Sequence, residues 1–491
     1  MPLFSVLQFD TDEGIELAKA MAFHQGFDLY DQVASDQAPL FTLLVSGLYP
    51  VLGWSSSHLT PYFLPRLMVL GFAFGLWWTL GEILRLQLGN TYAWAGLGLL
   101  LISQSFLRLS VSIMAGLPAV TLALWAFYGL LQYERTGQKR WVIGSGLAFG
   151  LSLQLKMYTL LLAPLLGVYW LIVSLNPRDD RHRFSPKKWP WIPPQLWTFS
   201  PWITLGQWVG MGAIAFVMGQ LLAGEPLSLD RMLAVHLQDN LQSRFVQENS
   251  LRDLCLFYLA ELDYTLLAGL GAWQILRYPS TALEKLPIAW LVLASVALGH
   301  HKPLWYHHYV MLSPPLVWLA VRGLALAGRT YYHDHWIPFA RRFWRRLLPR
   351  SYGTIALVLF CLATPVKITL IHQQNQFFLT QTAQYQPTLA TLKTYSSQTH
   401  WVFTDMPMLP MATHLPIPPE IAVFSRKRVA FGEINETWVN ELIQRYQPEQ
   451  VILGRFPEVK AWLAPYLSAH YRSEPNPIAP KIIHYIRQDI S

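Results

Sequence analysis

The first residues able to do chemistry lie close to the N-terminus. The opening segment is acidic: Asp10, Asp12, Glu13, Glu16, Asp28, Asp31 and Asp36 stand against Lys19 alone. A carboxylate can take a proton from an attacking hydroxyl, ligate a metal ion, or cap a helix. Asp10 and Glu13 have capping-box spacing, so the residues by themselves leave all three uses open. A second group is Gly299-His300-His301-Lys302-Pro303-Leu304-Trp305-Tyr306-His307-His308-Tyr309. Lysine and protonated histidine stabilise a departing anion, and neutral histidine is a common metal ligand. Adjacent histidines point to different faces of a helix, however, and interfacial histidines and aromatics also serve as belt residues. Arg66 and Lys156 add single cations that read either as snorkelling anchors or as anion ligands.

These groups need elements to hold them, and the composition limits which. The chain has 491 residues, of which 53% are hydrophobic and only 13% charged; soluble domains run at about 25% charged. With a mean hydropathy of +0.26, it reads as an all-α polytopic membrane protein. Two cysteines, Cys255 and Cys361, exclude a disulfide framework, and no bridge between them is expected. A spanning helix needs about 20 apolar residues. Ten candidate stretches occur at 62–86, 92–110, 112–133, 141–155, 157–175, 201–223, 256–277, 286–300, 304–322 and 351–371. The run 141–175 is divided at Lys156, because a lysine at mid-bilayer costs about 3 kcal/mol.

Lys and Arg gather in alternate loops, around Arg135–Arg140, Arg178–Lys188, Arg277–Lys285 and Arg322–Arg350. That places those loops in the cytoplasm, and segment 1–61 and the tail on the opposite side. The residues before Asp10 are too few to span a membrane, so an upstream helix is expected to be missing, which would make eleven spans. Segment 335–350 mixes aromatics with arginines and reads as a helix lying on anionic lipid. The net charge of +8 is therefore topological, and nucleic acid is excluded as a partner. The polar loop 224–255 could close over a lipid-linked substrate. Three regions follow: an acidic loop (1–61), a helical membrane domain (62–371), and a small α/β domain (372–491). The last has strand-like runs at Trp401–Thr404, Ile421–Phe424, Gln450–Leu453 and Ile482–Ile486, and helical patterns at 433–446 and 458–469.

The Asp12-Glu13 pair beside a first span, Gly26–Tyr30, and Gln37-Ala38-Pro39-Leu40 before a short apolar piece resemble the GT-C superfamily of integral-membrane glycosyltransferases. The similarity is to the bacterial branch of protein mannosyltransferases, aminoarabinose transferases and RgtA-like enzymes, especially cyanobacterial-looking members. The His307-His308-Tyr309 block and the small domain after the last span fit the same branch. The resemblance implies inverting transfer of a sugar from a polyprenyl-phosphate donor to a lipid, glycan or protein acceptor, outside a bacterial plasma membrane. It makes Asp12 the general base, with Glu13 orienting the acceptor or sharing that role. Arg66, Lys156, His307 and His308 become the donor-phosphate ligands, and Asp31, Asp36, Gln37 and Tyr309 substrate contacts. Two departures stand out. Ala115-Gly116-Leu117-Pro118 replaces an acidic residue before a proline, leaving Asp31 or Asp36 to supply a second carboxylate. Gln37 stands where aminoarabinose transferases have lysine. No cofactor is expected, and a divalent metal is not favoured. The competing reading is a transporter or flippase of lipid-linked saccharides, for which Glu261 and Asp263, early in a span, are the relevant acids.

Overall fold

Apolar runs become helices because hydrocarbon offers the backbone no other partner. The computed structural model describes residues 2–52, 61–175, 199–224, 245, 247–332 and 349–490. The basic segment 335–350, save its last two residues, and most of the loop 224–255 lie outside the described residues.

The expected stretches all fall on helices, but few are single long rods. Among the described residues, Phe63–Leu88, Trp202–Leu222 and Ala282–His300 are long and apolar enough to cross a membrane. A fourth crossing is formed if Ser250–Ala260 and Leu262–Arg277, bent by 94° at Glu261, count as one. Most of the other expected stretches are met by shorter or broken helices. Stretch 92–110 divides into Asn90–Leu101 and Gln104–Leu109, because the Ser103 hydroxyl caps a new helix by accepting from Phe106 N. Stretch 304–322 opens as a 3-10 turn, Tyr306–Met311, before the helix Ser313–Tyr332. The division at Lys156 is as the sequence indicates: the residue is extended (φ −159°) between Lys139–Leu155 and the turn Met157–Leu162.

Small residues let these helices meet closely. A Cβ on Gly271 would strike the Leu319 carbonyl, and one on Gly323 the Leu267 carbonyl, so Leu262–Arg277 and Ser313–Tyr332 touch backbone to backbone. Cys255 and Cys361 are both unpaired.

The last helix, Pro349–Thr394, continues well past the boundary expected at 371 and enters the C-terminal domain as one piece. At 46 residues it is about 69 Å long. The domain's sheet has strand order β1 (Val402–Thr404), β2 (Gln450–Leu453), β4 (Ile483–Arg487), β3 (Tyr471–Pro475). β1 pairs parallel with β2, while β4 runs antiparallel to both β2 and β3. Three of the four strand-like runs and both helical patterns are realised. Ile421–Phe424 is instead the end of a 3-10 turn, Pro419–Ile421, and the chain beyond it. Pro418 and Pro419 lack the N–H a ladder needs, although Ile421 and Phe424 still fill the core. A single apolar cluster runs from Leu17 and Met21 through the bundle to Phe403 and Leu453, so domain and bundle share one core.

Candidate active site

The helix Asp12–His24 begins at the acidic pair, and its two carboxylates have opposite surroundings. Glu13 is fully buried. Its Oε2 accepts from Phe9 N at 2.7 Å and Arg66 Nη2 at 3.0 Å, and its Oε1 accepts from Ile113 N at 2.7 Å. This is the capping use of the carboxylate, extended across the fold. Asp10 completes the helix start by accepting from Asp12 N at 3.1 Å.

Asp12 instead lines a cavity of about 240 Å³, together with Asp10, Arg108, Tyr306, His307 and Phe378. A quarter (26%) of its side-chain surface is exposed. Burial first, and then the charge of Asp10, push its carboxyl up to about 7, against the lowering effect of Arg455 and Lys156. A carboxylate so raised is half ionised near neutrality, the condition under which a general base works best.

Arg108 was not singled out as a ligand from the sequence, and it is the cation facing this cavity. Its Nε donates to the Phe9 carbonyl at 3.0 Å and its Nη2 to Asp10 Oδ2 at 3.3 Å. The guanidinium lies 4.0 Å from the centre of the Tyr306 ring. Its guanidinium is thus fixed at the cavity wall by one short loop and the Tyr306 side chain. The available signal was a lone arginine closing the apolar stretch 92–110. The aromatic wall of Phe377 and Phe378 was equally unmarked, since it lies beyond the expected end of the last span.

The other expected site residues are distributed more widely. Arg66 is fully buried and donates to the Leu3, Val6 and Leu7 carbonyls and to Glu13. It is thus a bracket for residues 3–13, and it is not among the residues that line the cavity. Lys156 is buried, with Glu16, Asp36 and Asp12 as its acidic neighbours; burial brings its ammonium down to about 8. His307 lines the cavity, while His308 packs edge-on behind it, ring centres 4.5 Å apart. Tyr309 stacks on Phe257 at 4.6 Å and donates to the Asp253 carbonyl, away from the cavity. The Gln37 carbonyl accepts from Tyr30 Oη at 2.8 Å, Asp31 is exposed, and Asp36 pairs with Lys427 at 3.3 Å. Among the described residues, no group of three or more His, Cys, Asp or Glu could hold a metal ion.

Glu261 and Asp263 form a separate, closed cluster. Glu261 Oε1 accepts from Ser103 Oγ at 2.9 Å and Ser105 Oγ at 3.2 Å, and its Oε2 from Lys367 Nζ at 2.6 Å. Lys367 also pairs with Asp263, and all three charged side chains are buried.

No family model matches the sequence, and no curated protein matches it closely enough to count. Solved structures do match. ArnT from Cupriavidus metallidurans bound to undecaprenyl phosphate superposes with a TM-score of 0.64 at 13% identity, covering 98% of this chain and 94% of that one. The apo state of the same protein gives 0.62 at 14% identity, covering 98% and 95%. From the acidic helix to the terminal sheet, the chain has the fold of ArnT.

Proposed function

We propose that this protein is a glycosyltransferase that moves a sugar from a polyprenyl-phosphate carrier to an acceptor hydroxyl, with inversion, on the outer side of a bacterial plasma membrane. Asp12 is the base. As the acceptor oxygen attacks the anomeric carbon, the bond from that carbon to the phosphate oxygen breaks, and the acceptor proton passes to Asp12. Polyprenyl phosphate leaves with the bonding electrons. Arg108 and His307 offer donors to the developing phosphate charge, with Lys156 adding positive potential from behind. A carrier confined to the bilayer brings its scissile bond to a fixed depth, which supplies much of the proximity effect. Glu13 serves this reaction indirectly, by fixing the helix start that presents Asp12.

The observation carrying the proposal is that the Asp12 carboxylate and the Arg108 guanidinium line one cavity in a chain of this fold. The test is transfer by the full chain in lipid nanodiscs, given a panel of polyprenyl-phosphate sugars and followed as release of polyprenyl phosphate by mass spectrometry. Asp12→Asn is expected to lower turnover by about 10²- to 10⁴-fold, the usual worth of a general base, with folding unchanged. Wild-type turnover in that variant overturns the assignment. A lipid-linked saccharide carrier is less well supported. Its candidate acids, Glu261 and Asp263, are tied to Lys367 instead of lining a path.

A further inference from the structure

The cation within ion-pair distance of Asp12 comes from the far end of the chain. Arg455 Nη2 lies 3.9 Å from Asp12 Oδ1. It does not hang there freely. Asp405 accepts from the backbone N–H groups of Gly454, Arg455 and Phe456 at 3.0, 2.9 and 2.8 Å, which pins the loop between β2 and the helix Pro457–His470. The guanidinium itself donates to the Phe424 carbonyl at 3.3 Å and lies 5.1 Å from the Phe456 ring centre. The two parts of the molecule also meet without slack. A Cβ on Gly14 would sit 2.5 Å from the backbone nitrogen of Met408, so the base-bearing helix rests directly on the C-terminal domain. Arg455 is therefore held at both its backbone and its tip, on a domain seated against the helix that carries Asp12.

We infer that Arg455 is a positioning residue for Asp12: through it the C-terminal domain reaches the carboxylate, orients it and supplies a compensating charge. Its consequence for turnover rests on the assignment of Asp12 as base. The groups facing Asp12 set the balance. Asp10 and Glu16, from its own segment, oppose ionisation, while Lys156 and Arg455 favour it. Arg108 and His307 share the cavity. The helices Leu40–Ser46 and Met408–Ala412, packed on the same element, bring no charge, and Glu420 is occupied by Arg445 and Tyr446.

The test reads Asp12 itself, in the full chain in phosphatidylethanolamine/phosphatidylglycerol nanodiscs without donor or acceptor. The protonated-carboxyl infrared band that is absent in Asp12→Asn is titrated, and its wild-type midpoint is expected near 7. In Arg455→Met the midpoint rises by at least about one pH unit, the effect of losing a unit charge at this distance even in water-like surroundings. Arg455→Gln gives the same rise should the Met variant not fold, and Arg455→Lys stays near wild type. Arg426→Met, which breaks the pair with Glu248 at the same seam, leaves the midpoint unchanged. An unmoved midpoint in Arg455→Met and Arg455→Gln, or an equal rise in Arg426→Met, overturns the inference and leaves the base assignment standing. A raised midpoint together with full transfer by Asp12→Asn sinks the base assignment and leaves the pairing intact.

Discussion

Two places in this molecule bring carboxylates together, and they are built on opposite terms. Around Glu261 and Asp263, the lysine of a third helix and three serine hydroxyls (Ser103, Ser105 and Ser313) close a buried set. Around Asp10 and Asp12, the positive partners stand at 3.3 and 3.9 Å, and a cavity takes the remaining space. The first arrangement spends its charges on holding three helix breaks in register. The second leaves charge for a ligand. Carboxylate clustering alone does not mark a reactive site; a carboxylate that opens onto free space beside its partners does.

The sharpest way to break this contrast is Lys367→Met, which strands two buried carboxylates. It should cost about 3–5 kcal/mol of stability, seen as a large loss of folded protein in detergent. The combined Lys367→Met/Glu261→Gln/Asp263→Asn variant should recover most of it. At the cavity the expected effect is on rate instead. With the Asp12 carboxyl near 7, kcat/KM should rise with pH through about 7 and fall roughly tenfold per unit below it, because only the ionised base accepts the proton. A flat profile between pH 5 and 8 would remove Asp12 from the mechanism. Glu13→Gln sharpens the comparison within a single helical turn. One amide oxygen cannot satisfy Phe9 N, Ile113 N and Arg66 together. The loss should be about 2 kcal/mol in chemical denaturation, with the remaining folded protein keeping its pH profile.

The smallest effect is expected far from both sites, at His484 in β4, which burial holds neutral with a folded-state value of about 4. The unfolded chain takes up a proton there near 6.5, so stability from this group is complete above 6.5 and is lost as pH falls from 6.5 toward 4. His484→Phe should flatten that slope by at most about 2 kcal/mol between pH 7 and 5, measured by thermal unfolding of the full chain.

Much of the architecture could be read before the fold was seen, because a charge in an apolar run has few affordable places. Lys156 marks a helix break for that reason, and the acidic N-terminal segment marks the cavity. What could not be read was which cation belongs to which acid. Arg66 and Arg108 both lie near the ends of apolar stretches. Only the path of residues 3–10 between them decides that the first is consumed by carbonyls and the second faces the cavity. Arg455 is harder still. Its approach to Asp12 depends on a domain docking whose contacts join residues more than 390 positions apart, as Lys427 with Asp36 also does. Periodicity carries no information at that separation. The break at Glu261 was hidden for a related reason, since an acid within an apolar stretch suggests transport until its lysine partner is found.

The unbroken helix Pro349–Thr394 has a mechanical meaning. It holds Lys367 in the closed cluster, Phe378 and Gln381 in the cavity wall, and Tyr385 and Leu392 in the core shared with the sheet. A rod fastened along its length cannot let the sheet domain tip away like a lid without tearing that wall. Access to the cavity must therefore come by way of its other walls, past a frame that stands still.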